Sequence, residues 1–331
     1  MLKNNIKRKN KICSSLILLF FTVIIFTFLM AGCSHFPNET DKYETNMKKS
    51  EYESVADDET LLFRLAETMP REHPSAKSME YFADLVEKRS KGKIKIKIYY
   101  DCELGTPNEI IEQMKFGGIA MARVNSLELS EAVPAIRKYL YPERYSGPGN
   151  QIEWFQKSEN KLKYDCQMEK ITPLEWYYPD LRCFYSSNNA INSKSDLNGT
   201  KVKTTDCLVM HELMEDMGAR AAVDMGRMNT YRLLSSGDIQ YGESGFCEFI
   251  CNDYGKYIHY VRITDYAYFP DVLLINTDSF NGLDPEMKKI LESCAEETYE
   301  YQKTAMLVFK NKWIEVIEAD EKVDFKEEEF S

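Results

Sequence analysis

The chain has 331 residues, with 42 Lys and Arg against 53 Asp and Glu, for a formal net charge of −11 at pH 7. That balance argues against a nucleic-acid partner, and the 44% hydrophobic and 29% charged fractions are those of an ordinary globular protein. The length suits one large or two medium domains. An acidic surface leaves anionic ligands open, because a few buried cations can set a positive field inside a cleft.

The first element is an export signal. Lys3, Lys7, Arg8, Lys9 and Lys11 precede an apolar run from Leu16 to Leu29, which ends in Met30-Ala31-Gly32-Cys33. A charged start, an apolar centre and small residues before a cut mark such a segment. It resembles a bacterial lipoprotein signal, which implies removal of residues 1–32 and a lipid on the Cys33 thiol. Met30 stands where Leu is more usual. Left uncut, the same run would be a single membrane anchor. Either way residues 34–331 are expected on the outer side of a membrane, in a periplasm or at a cell surface. Residues 33–58 are polar and read as a flexible tether.

The globular part is expected to begin near Thr60, with a buried strand over Leu61–Ala66. A helix follows His73-Pro74, with Ser75 as its cap and Met79, Phe82, Ala83 and Val86 at helical spacing. Gly92 stops it. Lys and Ile alternate from Lys93 to Tyr100, the pattern of a half-buried strand. Thr106 and Pro107 suit the start of a second helix, ended by Gly117-Gly118. A third strand spans Ile119–Val124. This alternation of strands and helices points to parallel pairing in an α/β domain.

Residues 134–169 read as mostly helical, with a break near Gly147-Pro148-Gly149. Strand patterns return at Leu174–Tyr178, Arg182–Tyr185 and Thr200–Thr205, then helix patterns at Leu208–Met217 and Thr230–Ser235. Phe269–Asn276 is another apolar strand. Pro285–Ala319 is one long periodic helical stretch with room for one break. Residues 327–331 read as a solvated acidic tail.

Seven cysteines follow Cys33, and an odd number cannot all pair within the chain. They read as mostly buried apolar side chains. Cys247 and Cys251 have no neighbouring pair to complete a zinc site. Phosphate-loop, dinucleotide, nucleophile-elbow and zinc-protease motifs are missing from the sequence. Ser186, Ser187 and Ser244 have no motif-placed histidine, so a hydrolase is disfavoured. No metal or cofactor is expected. What recurs is a cation at a strand end: Arg123, Arg182 and Lys203. In an open α/β sheet ligands bind beyond the carboxyl ends of the strands, and Arg there suits a carboxylate.

From Thr60 to Val316 the chain resembles the solute-binding proteins of TRAP (tripartite ATP-independent periplasmic) transporters, in the branch that captures organic acids. The match runs in order through His73-Pro74, Phe82–Glu87, Ser90–Ile94, Leu104-Gly105, Glu109–Gln113 and Met121–Val124. It continues through Arg182-x-Phe184-Tyr185, Ser195-Asp196-Leu197-x-Gly199-x-Lys201-Val202-Lys203, Met217–Ala219, Tyr231, Gly237 and Glu243. Pro270-x-Val272–Leu274 and Leu283-x-Pro285 close it.

The resemblance implies a periplasmic-binding-protein-like α/β fold: two lobes around a ligand cleft, with a long C-terminal helix. Lobe I is expected over 59–180 plus 268–305, and lobe II over 181–267 plus 306–326. It implies that Arg182 makes the main bidentate carboxylate contact and that Lys203 stands where a second Arg usually holds the same carboxylate. Ser244 takes a position often filled by a ligand-bonding Asn. Arg123 and His73 match positions that reach the ligand in members resembling sugar-acid binders. Arg227 falls near a position where an aromatic often packs on the ligand, and Gln240 replaces a usual Asp. Plainer readings stand beside these: an ion pair for Arg182, a strand-end lysine for Lys203, helix-start chemistry for His73 and turn chemistry for Ser244. The implied function is a membrane-tethered, monomeric receptor that passes a small anionic solute to the membrane subunits of a secondary transporter. A sensory lipoprotein presenting its bound form to a membrane receptor is the alternative.

Overall fold

The computed structural model describes residues 60–145, 148–223 and 227–327. The expected export signal, Cys33 and the expected tether lie outside them. The first lobe begins with β1 (Leu61–Glu67), α1 (Pro74–Arg89), β2 (Ile94–Tyr99), α2 (Pro107–Lys115), β3 (Met121–Asn125) and α3 (Ser126–Ala132). Two 3-10 turns, Pro134–Tyr139 and Pro142–Arg144, lead to α4 (Pro148–Lys157), α5 (Glu159–Met168) and β4 (Ile171–Tyr177). The chain then crosses into β5 (Arg182–Ser186), β6 (Lys201–Thr204), α6 (Leu208–Asp216), β7 (Arg220–Val223), α7 (Arg227–Ser236), β8 (Tyr241–Gly245), α8 (Phe246–Cys251) and β9 (Tyr260–Ile263). It returns through β10 (Asp271–Asn276), α9 (Thr277–Asn281) and α10 (Pro285–Glu318), and ends on β11 (Asp324–Glu327).

Two sheets result, in the orders β2-β1-β3-β10-β4 and β11-β9-β5-β8-β6-β7. β1 is parallel to β2 and β3, while β10 runs antiparallel to β3 and β4. In the second sheet β6 is parallel to β7 and β8, and β5 is antiparallel to β8 and β9. Each sheet therefore has a parallel core with one returning antiparallel strand. Two segments join the lobes, one between β4 and β5 and one between β9 and β10. α10 joins them too: it packs on α1 and β4, then on α8 and β11. Its 34 residues form one unbroken helix, about 51 Å long at 1.5 Å per residue.

Local chemistry explains the element starts. Thr106 and Glu109 form a capping box at α2 with Pro107 in the first turn. Asp284 caps α10 by accepting from the Met287 amide. α1 starts two residues earlier than a Ser75 cap predicts: His73 is the cap, its Nδ1 accepting from the Ser75 amide at 3.1 Å, because Pro74 already carries helical φ. At the far end Glu327 is not tail but the last residue of β11, where its carboxylate meets Lys310 at 3.1 Å.

β7, β8 and β9 carry no clear strand pattern in the sequence. β8 reads Tyr-Gly-Glu-Ser-Gly yet is buried throughout. The first glycine is there for close approach, since a Cβ on Gly242 would overlap the Tyr185 ring of the neighbouring strand. One apolar core, with Met79, Phe82, Leu273 and Leu291, lies under α1 and α10; a second, with Tyr185, Phe246 and Ile263, fills the outer side of the second sheet. A third includes Tyr139 and Tyr141 from one lobe and Val202, Val209 and Met210 from the other. Cys166, Cys183, Cys207, Cys247 and Cys294 are buried as free thiols, while Cys102 and Cys251 are half-buried. Among the described residues no helix is long and apolar enough to cross a membrane.

Candidate functional site

The charged residues collect at one edge of each sheet. In the second lobe that edge holds the start of β5 and the ends of β6 and β8. Arg182 is buried, with 4% exposure, and Glu243 has none. Arg182 Nε and Nη2 donate to the two Glu243 oxygens at 2.6 and 2.7 Å. Thr204 Oγ1 and Tyr266 Oη donate to the same carboxylate at 2.9 and 3.2 Å. The guanidinium carbon lies 5.4 Å from the centre of the Phe269 ring. Burial opposes the Arg182 charge, but Glu243 outweighs it and its pKa is raised. Glu243 thus fixes one edge of a five-donor guanidinium, and the Nη1 side stays outside that fork.

Strand alternation separates the cations. Phe184 pairs with Glu243 and Cys183 with Ser244, while Lys203 pairs with Gly242. Side chains at paired positions share a face, and neighbours along a strand alternate. Arg182, Glu243 and Thr204 therefore lie on one face, and Lys203 and Ser244 on the other. Lys203 Nζ is 3.8 Å from Glu248 Oε1 on α8, and Ser244 Oγ donates to the Gly245 carbonyl at 3.0 Å. The expected sharing of one carboxylate by Arg182 and Lys203 is thus not what the sheet geometry sets up. Arg182 is the residue with a rigid planar fork, and the charge of Glu248 acts on both it and Lys203.

At the matching edge of the first sheet Arg123 is completely buried. Its Nε donates to Glu67 at 2.6 Å and its Nη2 to the other Glu67 oxygen, while Nη1 sits 2.5 Å from Asp271 Oδ2 in an ion pair. Asn125 Nδ2 and Ser75 Oγ donate to Asp271 at 3.0 and 3.3 Å. Arg123 is therefore held by two carboxylates, Glu67 and Asp271.

His73 and Asp180 meet where the lobes join. Since His73 Nδ1 accepts from Ser75, its proton is on Nε2, which points at Asp180 Oδ2 from 3.8 Å. Asp180 also accepts from the Cys247 and Glu248 amides at 3.1 and 3.0 Å. Burial opposes ionisation of Asp180, but His73 and those amides more than offset it and hold its carboxyl below the usual range. A Cβ on Gly245 would overlap this carboxylate. Facing the second lobe from α3, Glu128 is pushed up to about 8 by burial, helped by Glu248 and Asp271 and opposed by the Asn125 amide and Arg123. Arg227 opens α7, but its side chain lies outside the described residues. Gln240 meets Asn188 Nδ2 at 3.4 Å on an exposed turn.

Sequence reasoning found the cations and missed the carboxylates that hold them: Glu67, Asp271 and Glu248, with Glu243 noted only as part of a pattern. Glu67 had a usable signal, a charge closing an apolar strand, which is the same signal that singled out Arg123. Ser186 and Ser187 are tied into local turns, Ser186 Oγ accepting from the Asn188 and Asn189 amides and Ser187 Oγ donating to Gln240. Among the described residues no group of His, Cys, Asp and Glu is arranged to hold a metal ion.

Comparison with known proteins gives a consistent result. The family described as "Bacterial extracellular solute-binding protein, family 7" matches residues 65–330. The 2,3-diketo-L-gulonate-binding periplasmic protein YiaO of Escherichia coli is 24% identical over 233 residues, 70% of each chain. A TRAP periplasmic solute-binding protein from Sulfitobacter, solved with β-D-galacturonate, superposes with a TM-score of 0.73 at 22% identity, over 81% of this chain and 89% of that one. One from Roseobacter denitrificans, solved with β-D-glucuronate, gives 0.74 at 20% identity, over 82% and 88%.

Proposed function

The chain belongs to the bacterial extracellular solute-binding protein family 7, the solute-binding proteins of TRAP transporters, and on that premise we propose that it captures a small sugar acid between its lobes and delivers it to a TRAP-type membrane transporter. The observation that carries this reading is the Arg182 fork: a buried guanidinium at the cleft edge, fixed on one side by Glu243 and backed by Phe269. The galacturonate, glucuronate and diketogulonate of its relatives supply the substrate class.

In this reading the ligand carboxylate meets the Nη1 side of Arg182. Lys203, shared with Glu248, adds positive charge from the opposite face. Glu128 and His73 meet the hydroxyl-bearing end, and Ser244 and Arg227 complete the set. Arg123 acts at one remove, as the shared ion-pair partner of Glu67 and Asp271. The lobes divide at the two crossing segments, with 59–180 plus 268–305 in one and 181–267 plus 306–326 in the other. Closure is a hinge motion driven by better ligand contacts in the closed state. No bond is made or broken in this cycle. The protein acts outside the cytoplasm as a monomer, held to the membrane by a lipid on Cys33; the support for the anchor is the signal sequence.

A thermal-shift screen with sugar acids, dicarboxylates, keto acids, sialic acid and neutral sugars tests the proposal. A ligand that binds only the native state raises the melting temperature. A shift with sugar acids alone is the expected result. A shift with a neutral sugar and none with any acid sinks it.

A further inference from the structure

Two side chains of the first lobe reach across the cleft to α6 of the second, and neither belongs to the ligand-binding set above. Glu131, in the last turn of α3, accepts a hydrogen bond from the Leu208 amide at 3.0 Å. Leu208 is the first residue of α6, and this helix lacks a cap of its own, because Cys207 makes no capping side-chain bond. The first amides of a helix have no intrahelical acceptor. Glu131 supplies, from the other lobe, the acceptor and the negative charge that a helix start favours. Arg137 steadies it, with Nη2 at 3.2 Å from the same oxygen and Nε on the Ser130 carbonyl at 3.0 Å.

The second bond runs from the Tyr141 hydroxyl to Glu212. Leu208 and Glu212 are four residues apart, so they share one face of α6. Around them α3 packs on α6, and Tyr139, Tyr141, Val209 and Met210 fall in one apolar core.

We propose that Glu131 and Tyr141 form a two-point latch, positioning residues that hold the second lobe closed over a ligand they do not bind. Both bonds need α6 to lie against the first lobe, so opening the cleft must break them. Breaking them is reversible at modest cost. The Glu131 side chain is 31% exposed and Leu208 is 42% exposed, so water can replace each partner on opening. A closed state populated only in part weakens apparent affinity by that fraction. Loss of the latch therefore appears in ligand residence time, not in the stability of either lobe.

The ligand readout rests on the sugar-acid reading; the shape readout does not. The test compares E131A, Y141F and the double variant with the unaltered protein, with E131Q as a version that keeps an acceptor. D-Glucuronate and D-galacturonate dissociation is followed by stopped flow, and the ligand-free radius of gyration by solution scattering. The double variant should release a uronate at least tenfold faster, about 1.4 kcal/mol. Its association rate and ligand-free melting temperature should hardly change, its radius should increase, and E131Q should fall between. Unchanged release and radius overturn the latch, and so does a lower melting temperature with unchanged release, which marks a merely structural contact. Where the unaltered protein binds neither uronate, the sugar-acid reading falls and the radius alone decides: a larger radius in the double variant keeps the latch, an equal one removes it.

Discussion

Glu243→Gln probes the buried pair on which the site is built. Glu243 accepts from Arg182 and Tyr266 on one oxygen and from Arg182 and Thr204 on the other, at 2.6 to 3.2 Å. Glutamine keeps one acceptor but turns the other position into an amide donor, facing either Tyr266 or Thr204 and one arm of the guanidinium. The buried Arg182 charge then loses the carboxylate that it touches. Breaking such a pair costs about 3–5 kcal/mol. At about 2–4 °C per kcal/mol for domains somewhat smaller than this chain, the melting temperature should fall by about 6–20 °C. Ligand-free thermal unfolding followed by circular dichroism reads this directly. The double variant R182M/E243L should recover most of the loss, because replacing both ions by apolar groups removes the desolvation penalty as well. A fall of under about 2 °C in the single variant would refute the reasoning.

Glu128 makes stability fall as pH rises. Its folded pKa of about 8 lies above its ordinary value of 4.5, so its favourable contribution is complete below the ordinary pKa and is lost as pH rises through the folded one. Urea titrations from pH 5 to 9 should show that decline in the unaltered protein and a flatter profile in Glu128→Gln; identical profiles would remove Glu128 as its source. Asp180 has the opposite sign: its depressed pKa contributes above the ordinary carboxylate range and is lost on acidification, so Asp180→Asn should blunt acid unfolding below about pH 4. Gly245→Ala drives a methyl into the Asp180 carboxylate and should cost about 1–3 kcal/mol in denaturant titration; a neutral effect would mean that the joint between the lobes has slack. Burial pushes the Cys166 and Cys207 thiols up to about 12, so only the half-buried Cys102 and Cys251 should react quickly with a thiol reagent in the native state. Fast labelling of five or more would contradict the fold.

The first lobe was legible because its elements obey simple rules. Lys and Ile alternate along β2, Thr106 and Pro107 announce α2, and a long helical period announces α10. The second lobe was legible only in part, since β8 is buried on both sides and carries two glycines and a glutamate chosen for their neighbours. Gly242 is dictated by Tyr185 on the next strand, Gly245 by Asp180 in a crossing segment, and Glu243 by Arg182, 61 residues away. Contacts of that range leave no periodic trace. For the same reason the site was half visible: a cation at a strand end can be read from one segment, but the carboxylate that claims it sits on another. Arg123 carries the same signal as Arg182, and only the register of β1, β3 and β10 reveals that Glu67 and Asp271 enclose it. The face assignment that parts Lys203 from Arg182 likewise depends on β6 pairing with β8, which no local pattern predicts.

Calorimetric titration of the purified protein with D-glucuronate and D-glucose, repeated on Arg182→Lys, tests the central claim most directly. The lysine keeps a charge for Glu243 but loses the planar edge that a carboxylate can grip. The account predicts measurable binding of the acid and none of the neutral sugar, with at least tenfold weaker acid binding in the variant. Equal binding of the neutral sugar, or undiminished acid binding by Arg182→Lys, would contradict it.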